Sequence, residues 1–153
     1  MVGSRKSSSI EQVKAEDIIF SLVEQKLGVL LEKNPMLYFS NNKFSYIQPD
    51  FYSAQGQIVG EIFAHVGKPK KAQNNKIAND ILKMLLLDKI SKIVHRKIIV
   101  VCDKEELKAL QGQSALSESI RQFGIEVLFV EIDDKTKQQI MDAQDRQKMV
   151  NAY

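Results

Sequence analysis

The chain has one cysteine, Cys102, in 153 residues. A lone thiol excludes an internal disulfide and any cysteine-rich zinc site. Cys102 sits within KIIVVCD, where a small buried core residue is expected. This cysteine usage points to a reducing compartment, with a cytoplasmic location expected. Long hydrophobic runs are also missing. None approaches the roughly 20 residues that a membrane span needs, so no membrane partner is expected. The opening MVGSRKSSS is basic and serine-rich but lacks the apolar segment of a secretory leader. Residues 1–9 are therefore expected to form a disordered tail ahead of a single domain over 10–153. Neither charge sign is in large excess. A net charge of +3 and a pI near 8.9 admit nucleic acid as a partner without arguing for it. Internal repeats are absent, and the only biased tract is the N-terminal serine run.

What is present is an ordinary globular composition, 44% apolar and 27% charged, in a chain long enough to bury a core. From about Ile10 to Lys33, Ile18, Ile19, Leu22, Val23, Lys26, Leu27 and Leu30 recur at helical spacing, and Asn34-Pro35 should end that helix. Three β-like runs follow, Met36 to Ser40, Lys43 to Ser53 and Gln57 to Val66. Turn signals separate them at Asn41-Asn42 and Ala54-Gln55-Gly56. Pro69 suits the first turn of a helix that runs to about Ile90, with Ile77, Ile81, Met84, Leu85 and Asp88 on one stripe. KIIVVC reads as a strand buried on both faces. Asp103, with Glu106 three residues on, suits the start of another helix. A further helix is expected from about Ser114 to Phe123, stopped by Gly124. IEVLFVEI reads as a second buried strand, and Asp133 or Asp134 starts a polar final helix. The order α-β-β-β-α-β-α-β-α implies an α/β fold with a mixed sheet and helices on both faces.

Two carboxylates stand out on the long hairpin. If its loop is Ala54 to Gln57, Ser53 pairs with Ile58, and counting back on both sides sets Asp50 opposite Glu61. Side chains so placed have Cβ atoms about 4.5–5.5 Å apart. Two like charges that close need water, a proton or a cation between them. A hard divalent cation suits two carboxylates and a backbone carbonyl, and Mg²⁺ keeps several positions open for water or phosphate. Solvated surface charge is the plainer reading of the same pair, and a one-residue slip would turn Glu61 to the other face. The alternation also sets Phe63 and His65 on Glu61's face.

Pro49-Asp50, followed eleven residues later by Glu61 on the next strand within an α-β-β-β-α-β order, resembles the PD-(D/E)XK nuclease superfamily. The resemblance covers about Ile18 to Val130 in element order, and Pro49-Asp50, Glu61 and the following helix at residue level. It implies a restriction endonuclease-like core, with DNA as partner and Mg²⁺ (or Mn²⁺) held by Asp50, Glu61 and the carbonyl of Ile62. The family usually carries lysine two residues after the glutamate, where this chain has Phe63. Some members draw the amine from the next helix, which here offers Lys76, with Gln73 on the same face. Lys76 would then orient or deprotonate the attacking water, or offset charge on phosphate, and Gln73 would position the nucleophile or touch phosphate. Asp80, one turn beyond Lys76, can pair with it.

Further residues carry two readings. His65 can contact phosphate or metal, or be a hydrogen-bonded structural histidine. Lys68, Lys70 and Lys71 flank Pro69 at a helix start and can hold the DNA backbone, or form a solvated turn. His95 reads as a surface connector. Glu16 and Glu24 on the first helix are weaker metal-ligand candidates, since the apolar stripe does not turn Glu24 inward. Three functions fit the sequence: a metal-dependent DNA endonuclease or resolvase-like enzyme, a degenerate nuclease-fold module that binds nucleic acid or protein, and an interaction protein of unrelated α/β fold. A homodimer or a protein partner is expected for cutting two strands.

Overall fold

A computed structural model describes residues 2–39 and 42–151. Helix α1 (Val2–Leu27) leads through the short strand β1 (Glu32–Lys33) to a small hairpin, β2 (Leu37–Phe39) and β3 (Asn42–Ile47). A second hairpin follows, β4 (Phe51–Ser53) and β5 (Ile58–Phe63), then α2 (Lys71–Ser91) and β6 (Arg96–Val101). Helices α3 (Lys104–Leu110) and α4 (Ala115–Gln122) connect to β7 (Glu126–Phe129), and α5 (Asp134–Asn151) closes the order. The main sheet runs β1-β4-β5-β6-β7, and β2-β3 form a sheet of their own. β1, β4 and β5 pair antiparallel, while β5, β6 and β7 are parallel. The fold is thus the expected α/β arrangement, a mixed sheet between helices.

Each face of the sheet has its own core. Ala15, Ile19 and Val23 of α1 pack with Phe51, Ile58, Ile62, Ile98, Val100 and Ile140 of α5 on one side. On the other, Ile77, Ile81 and Met84 of α2 and Leu110 and Ile120 of α3 and α4 cover Val59, Phe63, Ile99 and Val101. Alternation along β5 and β6 divides these residues, because successive side chains point to opposite faces. β6 lies inside the sheet between β5 and β7, and all its residues after Arg96 are buried. β7 lies at the sheet edge and is half-exposed, less buried than IEVLFVEI suggests.

Several boundaries differ from the sequence reading. α1 begins at Val2, so residues 2–9, expected as a tail, continue the helix. It stops at Leu27 because Gly28 takes a left-handed conformation (φ 69°) and donates to the Glu24 carbonyl at 2.8 Å. That frees Glu32 and Lys33, expected in the helix, to pair with Tyr52 and Phe51. The run from Lys43 to Ser53 is two strands in different sheets, broken at Gln48-Pro49-Asp50, where proline cannot donate to a ladder. Of the expected run Met36 to Ser40, Leu37–Phe39 pair with β3 and not with the main sheet. Ser40 and Asn41, the latter half of the expected Asn41-Asn42 turn, lie outside the described residues. Pro69 precedes α2, whose N-cap is Lys70.

One contact pins the second hairpin. Phe51 pairs with Gly60, and a Cβ on Gly60 would lie 2.0 Å from Phe51 Cζ. The Phe51 ring is wholly buried over that glycine. The register is Ser53↔Ile58, Tyr52↔Val59, Phe51↔Gly60, and its next step sets Asp50 against Glu61. Gly60→Ala should cost about 1–3 kcal/mol or more, because the ring has nowhere to move. Urea melts compare it with Gly56→Ala, whose nearest neighbours at 3.1 Å are the ends of side chains; equal losses would refute the ring's role.

Candidate functional site

The register leaves Asp50 and Glu61 on the face of the sheet that α2 covers, the face of Tyr52 and Val59. Asp50 is held from below: its Oδ2 accepts the Ile62 N–H at 2.6 Å, and its carbonyl accepts the Asn34 N–H at 3.1 Å. Within one strand residue the N–H and C=O point the same way, so the Ile62 carbonyl lies along the same edge as Asp50. The charge of Asp50 acts directly on the Glu61 side chain. Two carboxylates so placed repel one another unless a proton or a cation relieves them. Burial, then the charges of Asp50 and Asp80, push the Glu61 carboxyl up to about 9, and Lys76 opposes them.

Two further carboxyls, Glu16 and Asp80, feel the charge of Asp50. Burial and the charge of Asp50 raise Glu16 of α1 above the usual carboxylate range, against the Gln12 amide, Lys76 and Lys33. Burial also raises Asp80, with Lys76 and Lys83 offsetting it. Lys76 thus acts on Glu16, Glu61 and Asp80 from the exposed side of α2. Gln12 fixes the α1 side by donating to Glu16 Oε1 at 3.5 Å and to the Ala64 carbonyl at 3.3 Å, just past the end of β5. Glu16, weakly placed by sequence, follows the buried Ala15 and lies four residues after Gln12, and that spacing was its one available signal. Glu24 is occupied elsewhere, its Oε2 accepting the Leu31 N–H at 2.9 Å in the turn after α1.

The other candidate residues divide. Phe63 is buried in the core beneath α2 and stacks on the His65 ring at 5.4 Å, so no polar group occupies the position two residues after Glu61. Gln73 spends its side-chain oxygen on the Lys70 N–H at 2.6 Å, capping α2. Lys68, Lys70 and Lys71 are exposed at that helix start. His65 points inward: only 8% exposed, its Nδ1 lies 2.6 Å from Glu106 Oε1. Glu106 is fully buried, and its Oε2 has no hydrogen-bond partner among the described residues. Burial raises the Glu106 carboxyl, and His65 opposes the shift. Glu106 therefore serves the core and not a capping box, while Asp103 accepts the Gly67 N–H at 2.7 Å. Cys102 is buried as expected, and its thiol is pushed up to about 11, chiefly by burial.

His95 is no surface connector. It is 4% exposed, with both its ring Nδ1 and its backbone N–H on Asp88 Oδ1, at 2.8 and 3.0 Å. Lys97, buried on β6, bonds to Asp88 Oδ2 and to the His95 carbonyl. The Lys97 and His95 hydrogen bonds outweigh burial and lower the Asp88 carboxyl. This cluster ties the end of α2 to the start of β6. Sequence spacing put Asp88 on the apolar stripe without revealing His95 and Lys97 as its partners.

Whether divalent metal suits the site is a question of donors. Among the described residues no three His, Cys, Asp or Glu side chains are gathered around one point. The Asp50–Glu61 pair is nevertheless an all-oxygen donor set, and a cation would relieve the repulsion within it. Mg²⁺ commonly takes one or two carboxylates and fills its remaining positions with water and phosphate. An ion there would find its protein oxygens on Asp50, Glu61 and the Ile62 carbonyl.

Comparison with protein-family models, with curated proteins and with solved structures returned no match to this chain. Among the described residues no helix is long and apolar enough to cross a membrane.

Two predictions test the electrostatics. The folded chain holds the Glu61 proton up to about pH 9, whereas the unfolded chain releases it near 4.5. The folded state therefore binds more protons across that window, and stability falls as pH rises through it. Thermal melts in EDTA should show this decline, Glu61→Gln should flatten it, and Mg²⁺ should raise the alkaline midpoint of wild type but not of Glu61→Gln. Separately, His65→Ala strips a buried carboxyl of its partner and should cost about 3–5 kcal/mol in urea melts. Glu106→Gln in the same background should recover part of that loss; a neutral His65→Ala would refute the buried role.

Proposed function

We propose that this protein hydrolyses phosphodiester bonds of DNA with a divalent metal, Mg²⁺ or Mn²⁺, as an endonuclease or resolvase-like enzyme. The observation that carries this reading is the Asp50–Glu61 pair, set opposite each other by the hairpin register, with the charge of Lys76 acting on Glu61. A metal at such a site lowers the pKa of bound water and stabilises charge on phosphate. The chain's own residues supply the rest. Asp50 is oriented by the Ile62 N–H. Glu16 and Asp80 add negative charge behind the pair, which favours a cation and discourages a bare phosphate. Lys76 is the cation that would meet phosphate and offset the charge developing on it. Lys68, Lys70 and Lys71 at the exposed start of α2 would hold the DNA backbone through charge and helix-end N–H groups. His65, being buried, has no part in that contact, and Gln73 acts through the α2 cap. Cutting two strands would call for a second copy or a protein partner.

A second reading has its own observation. Phe63 fills the lysine position with a buried ring, so a chain in which Lys76 does not substitute would bind nucleic acid or a protein without cutting. The deciding experiment incubates labelled linear, supercoiled and branched DNA with Mg²⁺, Mn²⁺ or EDTA. Metal-dependent cleavage is expected, falling at least about 10²-fold in Asp50→Ala, Glu61→Ala and Lys76→Ala, with folding retained. Wild-type binding without cleavage would establish the binding module instead.

A further inference from the structure

At the sheet edge opposite β1, the ends of β6 and β7 carry a feature that the Asp50–Glu61 pair does not use. β6 ends at Val101 and leads through Cys102 and Asp103 into α3, and β7 ends at Phe129 and leads into α5. Leu110 and Ile120 of α3 and α4 pack on the α2 face of the sheet, whereas Ile140 of α5 packs on the α1 face. Two neighbouring parallel strands thus send the chain to opposite faces. Connections that part in this way leave a crevice at the carboxyl ends of the strands, where open α/β sheets bind their ligands.

A cavity of about 570 Å³ opens beside this point, walled by Lys104, Leu107, Lys108, Gln111, Gly112 and Phe129. Its size is that of a small-molecule site. Leu107 and Phe129, both half-buried, supply an apolar surface. Lys104 and Lys108, one helical turn apart and exposed, supply two ammonium groups on one face of α3. Neither has an acidic partner among the described residues. The nearby acids are engaged elsewhere or bond to neither lysine. Glu106 pairs with His65, Asp103 accepts the Gly67 N–H, and Glu105 makes no ion pair with Lys104 or Lys108. None of the three lines the cavity.

Lys26 of α1 adds a third cation beside Phe129, donating to its carbonyl at 2.6 Å. A neutral carbonyl leaves that charge uncompensated. The same contact bears on the size of the occupant. The Val130 N–H donates inward to the Val101 carbonyl at 3.0 Å, so the Phe129 carbonyl faces the free edge of the sheet. Lys26 takes the acceptor that an added strand would need, which turns an extended peptide away. What remains is a small anion with an apolar body. A carboxylate is served best by the planar fork of arginine, and Arg121 nearby is held by Glu118 and the Gly112 carbonyl. Lysines act as point charges and suit phosphate.

We infer that this cavity is a binding site for a nucleoside phosphate, with a nucleoside diphosphate matching its three cations. Lys104 and Lys108, with Lys26 beside them, hold the phosphates. Phe129 and Leu107 cover the apolar face of the base, and the exposed Gln111 amide, donor and acceptor together, meets its edge. The inference does not rest on the nuclease reading, because it uses no residue of the Asp50–Glu61 site.

The experiment follows the fluorescence polarisation of N-methylanthraniloyl-ADP with the full chain in EDTA, then displaces it with ADP, adenosine or inorganic pyrophosphate. Saturable binding reversed by ADP is expected. Adenosine and pyrophosphate should each compete about tenfold or more weakly, since each keeps only part of the contacts. Lys104→Ala/Lys108→Ala should weaken ADP about tenfold or more, while Lys104→Arg/Lys108→Arg, which keeps both charges, should stay within about threefold of wild type. Both positions are exposed, and thermal melts check that the variants fold. Lys89→Ala/Lys92→Ala removes the same charge from the exposed end of α2 and should stay within about twofold. Pyrophosphate competing as well as ADP would reduce the cavity to a patch of charge and overturn the proposal, and adenosine competing as well as ADP would also overturn it. Undiminished ADP affinity in the Lys104/Lys108 alanine pair, or an equal loss in the Lys89/Lys92 pair, would do the same, as would a probe that ADP does not displace.

Discussion

The seating of Phe51 on Gly60 is the contact on which the candidate site depends. A ring wholly buried over a residue with no Cβ admits one register, because any other residue at that position would drive a carbon into the ring. Asp50 and Glu61 are the next residues along the two strands. Their opposition is therefore set by packing on the far face of the sheet, where Phe51 joins α1 and α5. Apolar burial thereby holds two acidic groups closer than they would choose.

That enforced closeness gives the site its chemistry. Burial and mutual repulsion keep a proton on Glu61, and the same forces that favour a proton favour a cation in its place. α1 and α2 reach the pair from opposite sides of the sheet and bring Glu16 and Asp80, while Lys76 offsets them. The two buried histidine clusters serve another end. His65–Glu106 joins the end of β5 to α3, and His95–Asp88–Lys97 joins α2 to β6. Through Asp88 the helix that carries Lys76 is braced by polar contacts as well as by its apolar stripe.

Much of this was readable in the chain. The β4-β5 turn at Ala54–Gln57 follows from local turn chemistry, and with it the parity that sets Glu61 beside Val59 and Phe63. KIIVVC is legible as an inner strand because it is apolar on both alternations. The end of α1 was misplaced because Asn34-Pro35 is a strong stop signal, yet Gly28 stops the helix first. The split at Gln48-Pro49-Asp50 was hidden because both halves have β character and only their partners differ. His95 and Lys97 look solvated in a polar string, and their burial depends on an aspartate that arrives from the preceding helix.

By itself the sequence determined the order of elements, the alternation along each strand and the opposition of Asp50 and Glu61, because these depend on neighbours a few residues away. Tertiary structure alone decided that Glu16 joins the pair, that His65 turns into the core, and that Tyr38 and Tyr46 face outward on a separate hairpin. Each of those outcomes depends on which distant surface claims the other side of the element, and that is settled only when helices and sheet compete for the same buried area.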